Sequence, residues 1–324
     1  MGTLELSGLI GTNPLGFLAS LGVLDAITRQ STDSSISLNW TDSLVPHALI
    51  NGIEDKHYLL ELLDKDRLQW VNSQVLTGAS RFPLDEIKPS EEELQEWADE
   101  VYSKCCDLQA RSVADLWCAL VAEGALAKTG DTKPTHLHFL AGNQKFLQIV
   151  RELSEKVTVD LLEEAVFGPW RYDSKLPNLR WDVRGERIYA LTAKNPSVEK
   201  AMSVPGANWL AFLGLRFFPV ALVGGSLRTT GCEPNWKKSS FTWPLWNKSL
   251  NSDVIRSVIA SSSLKKMSLS EQRARGISNI YCSPIRRTDQ GGYGTFGAPG
   301  VVLGEGSPMR SSANHGLRTE KARK

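Results

Sequence analysis

The apolar and polar positions at the start of the chain spell a strand, a turn and a helix. Leu4 and Leu6 alternate with Glu5 and Ser7, Gly8 and Gly11 punctuate, and Asn13-Pro14 opens an almost wholly apolar stretch toward Gln30. Asn13 is a natural N-cap, since its side-chain oxygen can accept from an orphaned N–H, and Pro14 suits a first helical position that needs no donor. Leu15, Phe17, Leu18, Leu21, Val23, Leu24 and Ile27 cover nearly every direction around the axis, which predicts burial on most sides. Gly16 and Gly22 inside this helix each cost about 1 kcal/mol against alanine, so another backbone is expected to pass close by.

Further along, Ser37 to Trp40 alternates as a strand, His57 to Trp70 reads as an amphipathic helix, and Val71 to Leu76 reads as a further strand. Ser90-Glu91-Glu92-Glu93 has the capping-box pattern, and Leu94, Trp97, Ala98, Val101, Cys105 and Leu108 follow at helical spacing. Helical spacing resumes from Ser112 to Ala127. His136 to Leu140 then alternates as a strand, a Gly142-Asn143 turn follows, and Lys145 to Leu153 is helical. That order repeats the strand, glycine loop and helix of the start. Glu186 to Leu191 reads as a strand, Asn208 as the cap of a helix from Trp209 to Phe218, and Phe241 to Trp246 as an extended aromatic segment. Asp253 to Ala260 and Ser270 to Arg275 read as helices, whereas the glycine-spaced stretch from Gly291 to Lys324 is expected to be disordered. The elements together predict an α+β fold with helices packed on a mixed sheet. Three regions are expected: an N-terminal α+β domain over 1–166, a Trp/Arg-rich α+β region over 167–290 packed on it, and a basic tail over 291–324.

With 324 residues, 41% of them hydrophobic and 23% charged, the chain can bury a substantial core. The longest apolar run, Trp209 to Val223, is broken by Arg216 and Pro219, and no basic region precedes the first helix. These features predict a cytoplasmic protein without a membrane span. Five scattered cysteines without CxxC spacing argue against a disulfide framework or a zinc ribbon. The formal net charge of +1 hides an asymmetry. From Ser263 onward eleven Lys/Arg stand against four Asp/Glu, or +7, while the first 262 residues hold 26 against 32, or −6. A basic tail follows a mildly acidic body.

Five groups of residues bear on chemistry. Gly11, Thr12 and Asn13 precede a helix N-terminus and offer N–H groups to an anion, although neither a P-loop lysine nor a G-x-G-x-x-G spacing is present. The mixture of Trp170, Arg171, Tyr172, Arg180, Trp181, Arg184 and Arg187 with Trp236, Lys237, Lys238, Trp243 and Trp246 suits a single strand of nucleic acid. Bases stack on aromatic and guanidinium planes while cations neutralise phosphates, the competing expectation being that most tryptophans are core. In the tail, Arg286 and Arg287 are expected phosphate contacts. His136 and His138, two apart on the expected strand, would share a face, but lack the further ligands of a metal site. Asp182 and Glu186 read as a solvated turn. No catalytic triad, metal site or cofactor signature is visible in the spacing.

These residues, taken as a set, resemble a known family. Gly11-Thr12-Asn13-Pro14-Leu15-Gly16-Phe17-Leu18, His138-Phe139-Leu140-Ala141-Gly142-Asn143-Gln144-Lys145-Phe146-Leu147, Phe167-Gly168-Pro169-Trp170-Arg171-Tyr172, Leu179-Arg180-Trp181-Asp182, Asn208-Trp209-Leu210-Ala211-Phe212, Phe241-Thr242-Trp243-Pro244-Leu245-Trp246 and Arg286-Arg287-Thr288-Asp289-Gln290-Gly291-Gly292-Tyr293 carry the resemblance, which extends to about Phe296. The chain is similar to proteins encoded with type I-G (formerly I-U) CRISPR systems, the extension family of the helicase–nuclease. The resemblance implies a role in prokaryotic antiviral defence. Its partners would be CRISPR RNA or target DNA, other effector subunits or the helicase–nuclease, and it carries over no catalytic residues. A non-enzymatic nucleic-acid-binding or scaffolding component is the leading expectation. A metal-assisted nuclease using His136, His138 and Asp182, or an adaptor that touches no nucleic acid, are the alternatives.

Overall fold

The computed structural model of the chain describes residues 2–31, 33, 35–103, 108–185, 203–288 and 292–303. The first strand, β1 (Thr3–Ile10), leads into the helix α1 (Pro14–Gln30), whose N-cap Asn13 accepts from Leu15 N at 3.0 Å. β2 (Ser37–Trp40) and β3 (His47–Asn51) complete an antiparallel sheet in the order β1-β3-β2. α2 (Lys56–Trp70), α3 (Gln74–Thr77), α4 (Glu91–Ser103) and α5 (Leu108–Leu120) follow, then α6 (Phe146–Lys156), α7 (Val159–Phe167) and α8 (Pro205–Gly214). A hairpin, β4 (Val220–Val223) and β5 (Ser226–Thr229), precedes β6 (Ser240–Trp246), α9 (Ser252–Ile259) and α10 (Leu269–Ala274). The last sheet is built on β7 (Ile277–Arg287), with β6 along one edge and β8 (Gly294–Phe296) and β9 (Gly300–Val301) along the other. The fold is α+β, with helices packed on antiparallel sheets.

α1 is buried from Pro14 to Ile27, as its all-round apolar pattern requires. Its partner is α8. A Cβ at Gly22 would stand 1.8 Å from Leu210 O, and one at Gly214 would stand 2.0 Å from Leu18 O, so the two backbones touch through paired glycines. The other glycine of α1, Gly16, is needed against the end of β1, where a Cβ would meet Ile10 O at 2.5 Å. Phe17 carries α1 into an aromatic cluster, with ring centroids 5.9 Å from Trp40, 5.9 Å from Trp243 and 6.3 Å from Trp246. The cluster continues from Trp243 to Phe241 (5.2 Å), Phe296 (5.6 Å) and Phe139 (4.8 Å). Residues from Leu6 to Phe296 therefore share one core, and the boundary expected near residue 166 does not divide it.

Asp25 on α1 is a charge inside this core, paired with Arg29 and with Arg216, the latter in the short 3-10 helix after α8. Arg29 also reaches Asp66 on α2 at 2.7 Å, and Arg216 reaches Asp115 on α5 at 3.0 Å. Burial by itself raises the Asp25 carboxyl, and Arg29 and Arg216 more than reverse that, holding it below the ordinary carboxylate range.

Several expected elements differ. Val71 to Leu76 contains the start of α3 rather than a strand, with Leu76 N donating to Ser73 O at 2.8 Å. The helix expected to reach Ala127 stops at Leu120, whose carbonyl accepts from Thr135 N at 2.8 Å. His136 to Leu140 is a turn at His136-Leu137 followed by irregular chain, not a strand, so the second strand–loop–helix unit does not form. α8 begins at Pro205, and Asn208 lies inside it, its Oδ1 accepting from Leu179 N at 2.9 Å. The expected disorder from Gly291 is corrected for residues 292–303, where β8 and β9 pair with β7. Residues 304–324 and the expected strand from Glu186 to Leu191 lie outside the described residues. The capping box at Ser90 forms as read, with Ser90 N donating to Glu93 at 2.7 Å. No helix among the described residues is long and apolar enough to cross a membrane.

Candidate nucleic-acid interface

Neighbouring residues of a strand point to opposite faces, and at the end of β7 this sends Arg286 outward and Arg287 inward. Arg287 Nη1 donates to His138 O at 2.9 Å and Nη2 to His136 O at 2.7 Å. Its guanidinium carbon lies 3.7 Å from the ring centre of Trp236 and 5.5 Å from that of Phe139. Its buried Nε–H has no hydrogen-bond partner among the described residues. Burial pulls the guanidinium down to about 10, which leaves it charged at neutral pH. The expectation of a solvent-facing phosphate contact is corrected for Arg287: it is half-buried, and two of its four terminal N–H groups are held by main-chain carbonyls. Arg286 remains exposed.

The carbonyls are available because 136–140 turns rather than extends. His138 N donates to Thr135 O at 3.0 Å, and Trp181 Nε1 takes the intervening Leu137 O at 2.8 Å. His136 and His138 are both buried, not on a polar strand face. Thr229 Oγ1 accepts from His136 N at 2.9 Å and donates to Nδ1 at 2.9 Å, which leaves the ring proton on Nε2, facing Pro234 O at 3.3 Å. His138 Nε2–H donates to Glu86 at 2.9 Å. The expected trio of His136, His138 and Asp182 does not converge. Among the described residues no three His, Cys, Asp or Glu side chains are placed to hold a metal.

Burial holds both histidines below their ordinary range, with Arg287 and Arg228 adding to the effect at His136 and Glu86 opposing it at His138. The unfolded chain takes up these protons near pH 6.5 and the folded chain only below that. Their contribution to stability is therefore complete above about pH 6.5 and is lost as the pH falls through the lower folded values. Urea midpoints are expected to decline as the pH falls below about 6.5, and His138→Gln to shrink that decline. A decline of unchanged size in His138→Gln would refute the assignment.

Trp236 is 37% exposed, whereas Trp181, Trp243 and Trp246 are fully buried and belong to the core. Asn235 Oδ1 accepts from Lys237 N at 3.1 Å and Lys238 N at 3.2 Å, fixing the 3-10 turn that presents Trp236. Lys237 and Lys238 are exposed and carry no ion pair among the described residues. Arg228 is exposed on β5, one residue before the Thr229 that holds His136, and its charge is felt at that imidazole. Sequence reasoning missed Arg228, although Gly224-Gly225 between two short apolar runs is a hairpin signal.

Arg180 and Arg184 form two more arginine–aromatic stacks. Arg180 lies 5.0 Å from the ring of Tyr293 and donates from Nε to Gly294 O at 3.2 Å, and Gly294 N in turn donates to Phe139 O at 2.9 Å. β8 thus connects Arg180 to the Phe139–Arg287–Trp236 stack. Arg184 lies 4.5 Å from the ring of Tyr172, whose hydroxyl donates to Asp182 at 2.7 Å. Arg171 is placed elsewhere, paired at 2.6 Å with the buried carboxylate of Glu164 on α7.

The loop Gly11, Thr12 and Asn13 is packed rather than open. Gly11 N donates to Pro46 O at 2.8 Å, Gly11 O accepts from Trp243 Nε1 at 2.9 Å, and Asn13 N donates to Ile10 O at 3.1 Å. Asn13 Nδ2 donates to Asp182 at 3.2 Å. The carboxylate of Asp182 thus stands beside the N-cap side chain of α1, a negative charge that disfavours a further anion at the Gly11, Thr12 and Asn13 loop. No protein-family model matches the chain, and no curated protein matches it at a significant level.

Proposed function

We propose that this chain is a non-enzymatic, nucleic-acid-binding component of a type I CRISPR antiviral defence complex. The observation that carries the binding part is Trp236, an exposed tryptophan set beside Lys237 and Lys238, whose charges meet no carboxylate among the described residues. An aromatic face for a base and adjacent cations for its phosphates are the two elements of single-strand binding. The defence context rests on the sequence resemblance, and CRISPR RNA, target DNA, the other effector subunits and the helicase–nuclease are the proposed partners.

Single-stranded oligonucleotides titrated across a salt series test the binding. Affinity is expected to fall steeply with salt, and Lys237→Ala with Lys238→Ala to flatten the log–log slope by roughly 1.4, about 0.7 for each phosphate that is no longer neutralised. Absent binding at low salt, or binding indifferent to salt, overturns the reading. Co-purification of protein partners that survives nuclease treatment, with no oligonucleotide binding, would favour the adaptor instead.

A further inference from the structure

We infer that Trp236 is a preformed stacking platform for a purine base of a single strand, an inference that rests on the nucleic-acid-binding reading above. Arg287 covers one face of the indole at 3.7 Å, the ring of His136 lies beside the indole at a centroid distance of 5.4 Å and a tilt of 53°, and 37% of Trp236 stays exposed. Both supports are themselves immobilised. Arg287 is pinned by the carbonyls of His136 and His138, and His136 by Thr229 and Pro234 O. The indole is thus held in place before any ligand arrives, and little side-chain entropy is lost when a base settles on it.

The electronic state of the outer face follows from what lies behind it. A cation over one face of an aromatic ring draws π-electron density toward itself. The charged Arg287 therefore leaves the outer face of Trp236 electron-poor, a surface that favours electron-rich partners in face-to-face contact. Purines are both larger and richer in π-electrons than pyrimidines, so area and electronics act in the same direction. Lys237 and Lys238 follow Trp236 in the same turn, and Arg228 is exposed on β5 nearby, so a stacked nucleotide has cations within reach of its phosphates. The ring reads the area and electronics of a base rather than its edge. The selectivity is accordingly one of base class.

Fluorescence anisotropy with labelled oligoadenylate and oligouridylate, and with the matching oligo-dA and oligo-dT, measures the preference at one low salt concentration. Wild-type protein is expected to bind the purine strand about fivefold more tightly, a fraction of the ~1–3 kcal/mol that stacking contributes per base. The preference is expected in both sugar series, because the ring reads the base. Trp236→Ala is expected to equalise the two strands and Trp236→Phe to retain part of the difference, with unchanged melting temperatures confirming that both variants fold. Equal affinities in the wild type, or a preference that persists in Trp236→Ala, would overturn the platform while leaving nucleic-acid binding intact. Failure to bind either strand would instead overturn the binding reading itself.

Discussion

Gly22→Ala is expected to destabilise the protein by about 3 kcal/mol or more, read as a loss on the order of 5–10 °C in melting temperature. On helix propensity alone the change would stabilise by about 1 kcal/mol, so the predicted sign is opposite to the local one. The reason is that the added methyl group would stand 1.8 Å from Leu210 O and 2.6 Å from Leu210 C, main-chain atoms of α8 that have no rotamer in which to retreat. Relief requires α1 and α8 to separate, and both are buried along their length, so separation opens voids beside Leu18, Leu21 and Leu210. Gly214→Ala, on the facing helix, is expected to behave alike, since its Cβ would stand 2.0 Å from Leu18 O. Thermal melts followed by circular dichroism decide the matter. A Gly22→Ala protein as stable as wild type would mean that the helices do not cross at this separation.

Asp25→Ala is expected to cost about 3–5 kcal/mol, because it leaves buried Arg216 without its closest counter-charge. Arg29 keeps Asp66 and Arg216 keeps Asp115, so the loss is concentrated at the centre of the network. Replacing the central pair by apolar residues of similar volume, Asp25→Leu with Arg216→Met, is expected to recover a large part of the loss, since two charges then need no desolvation. Denaturant titration of the single and double variants provides the comparison, and a double variant less stable than Asp25→Ala would refute the account. The folded carboxyl sits below its unfolded value, so its contribution is present above about pH 4 and is lost as the pH falls through the depressed folded value. Asp25→Asn should therefore flatten the acid end of the stability profile.

Much of the architecture is legible in short-range pattern. The strand β1, the cap at Asn13, the buried α1, the capping box at Ser90 and the aromatic strand β6 all follow from periodicity and terminal residues that act within a few positions. Gly16 and Gly22 even announce a close approach, though not its partner. What misleads is alternation without a neighbour. His136 to Leu140 has the period of a strand, yet its carbonyls are taken by Arg287 and Trp181, so no ladder can form there. The reverse holds for β8 and β9, where glycine spacing suggests disorder and the ladder with β7 supplies the order.

The candidate site divides in the same way. Sequence alone determined which residues are chemically suited to a single strand, and by pattern it determined that α1 would be buried and that the chain would be α+β. Only the tertiary structure decided which of those residues remain available. It turned Arg287 inward onto main-chain carbonyls, paired the exposed Arg171 with Glu164, set Asp182 against the Asn13 side chain, buried Trp181, Trp243 and Trp246, and left Trp236, Lys237 and Lys238 exposed. The physical reason is that a charged or aromatic side chain has the same chemistry wherever it stands, while its availability depends on the partners the fold brings to it, some more than a hundred residues away in the chain, such as His138 for Arg287.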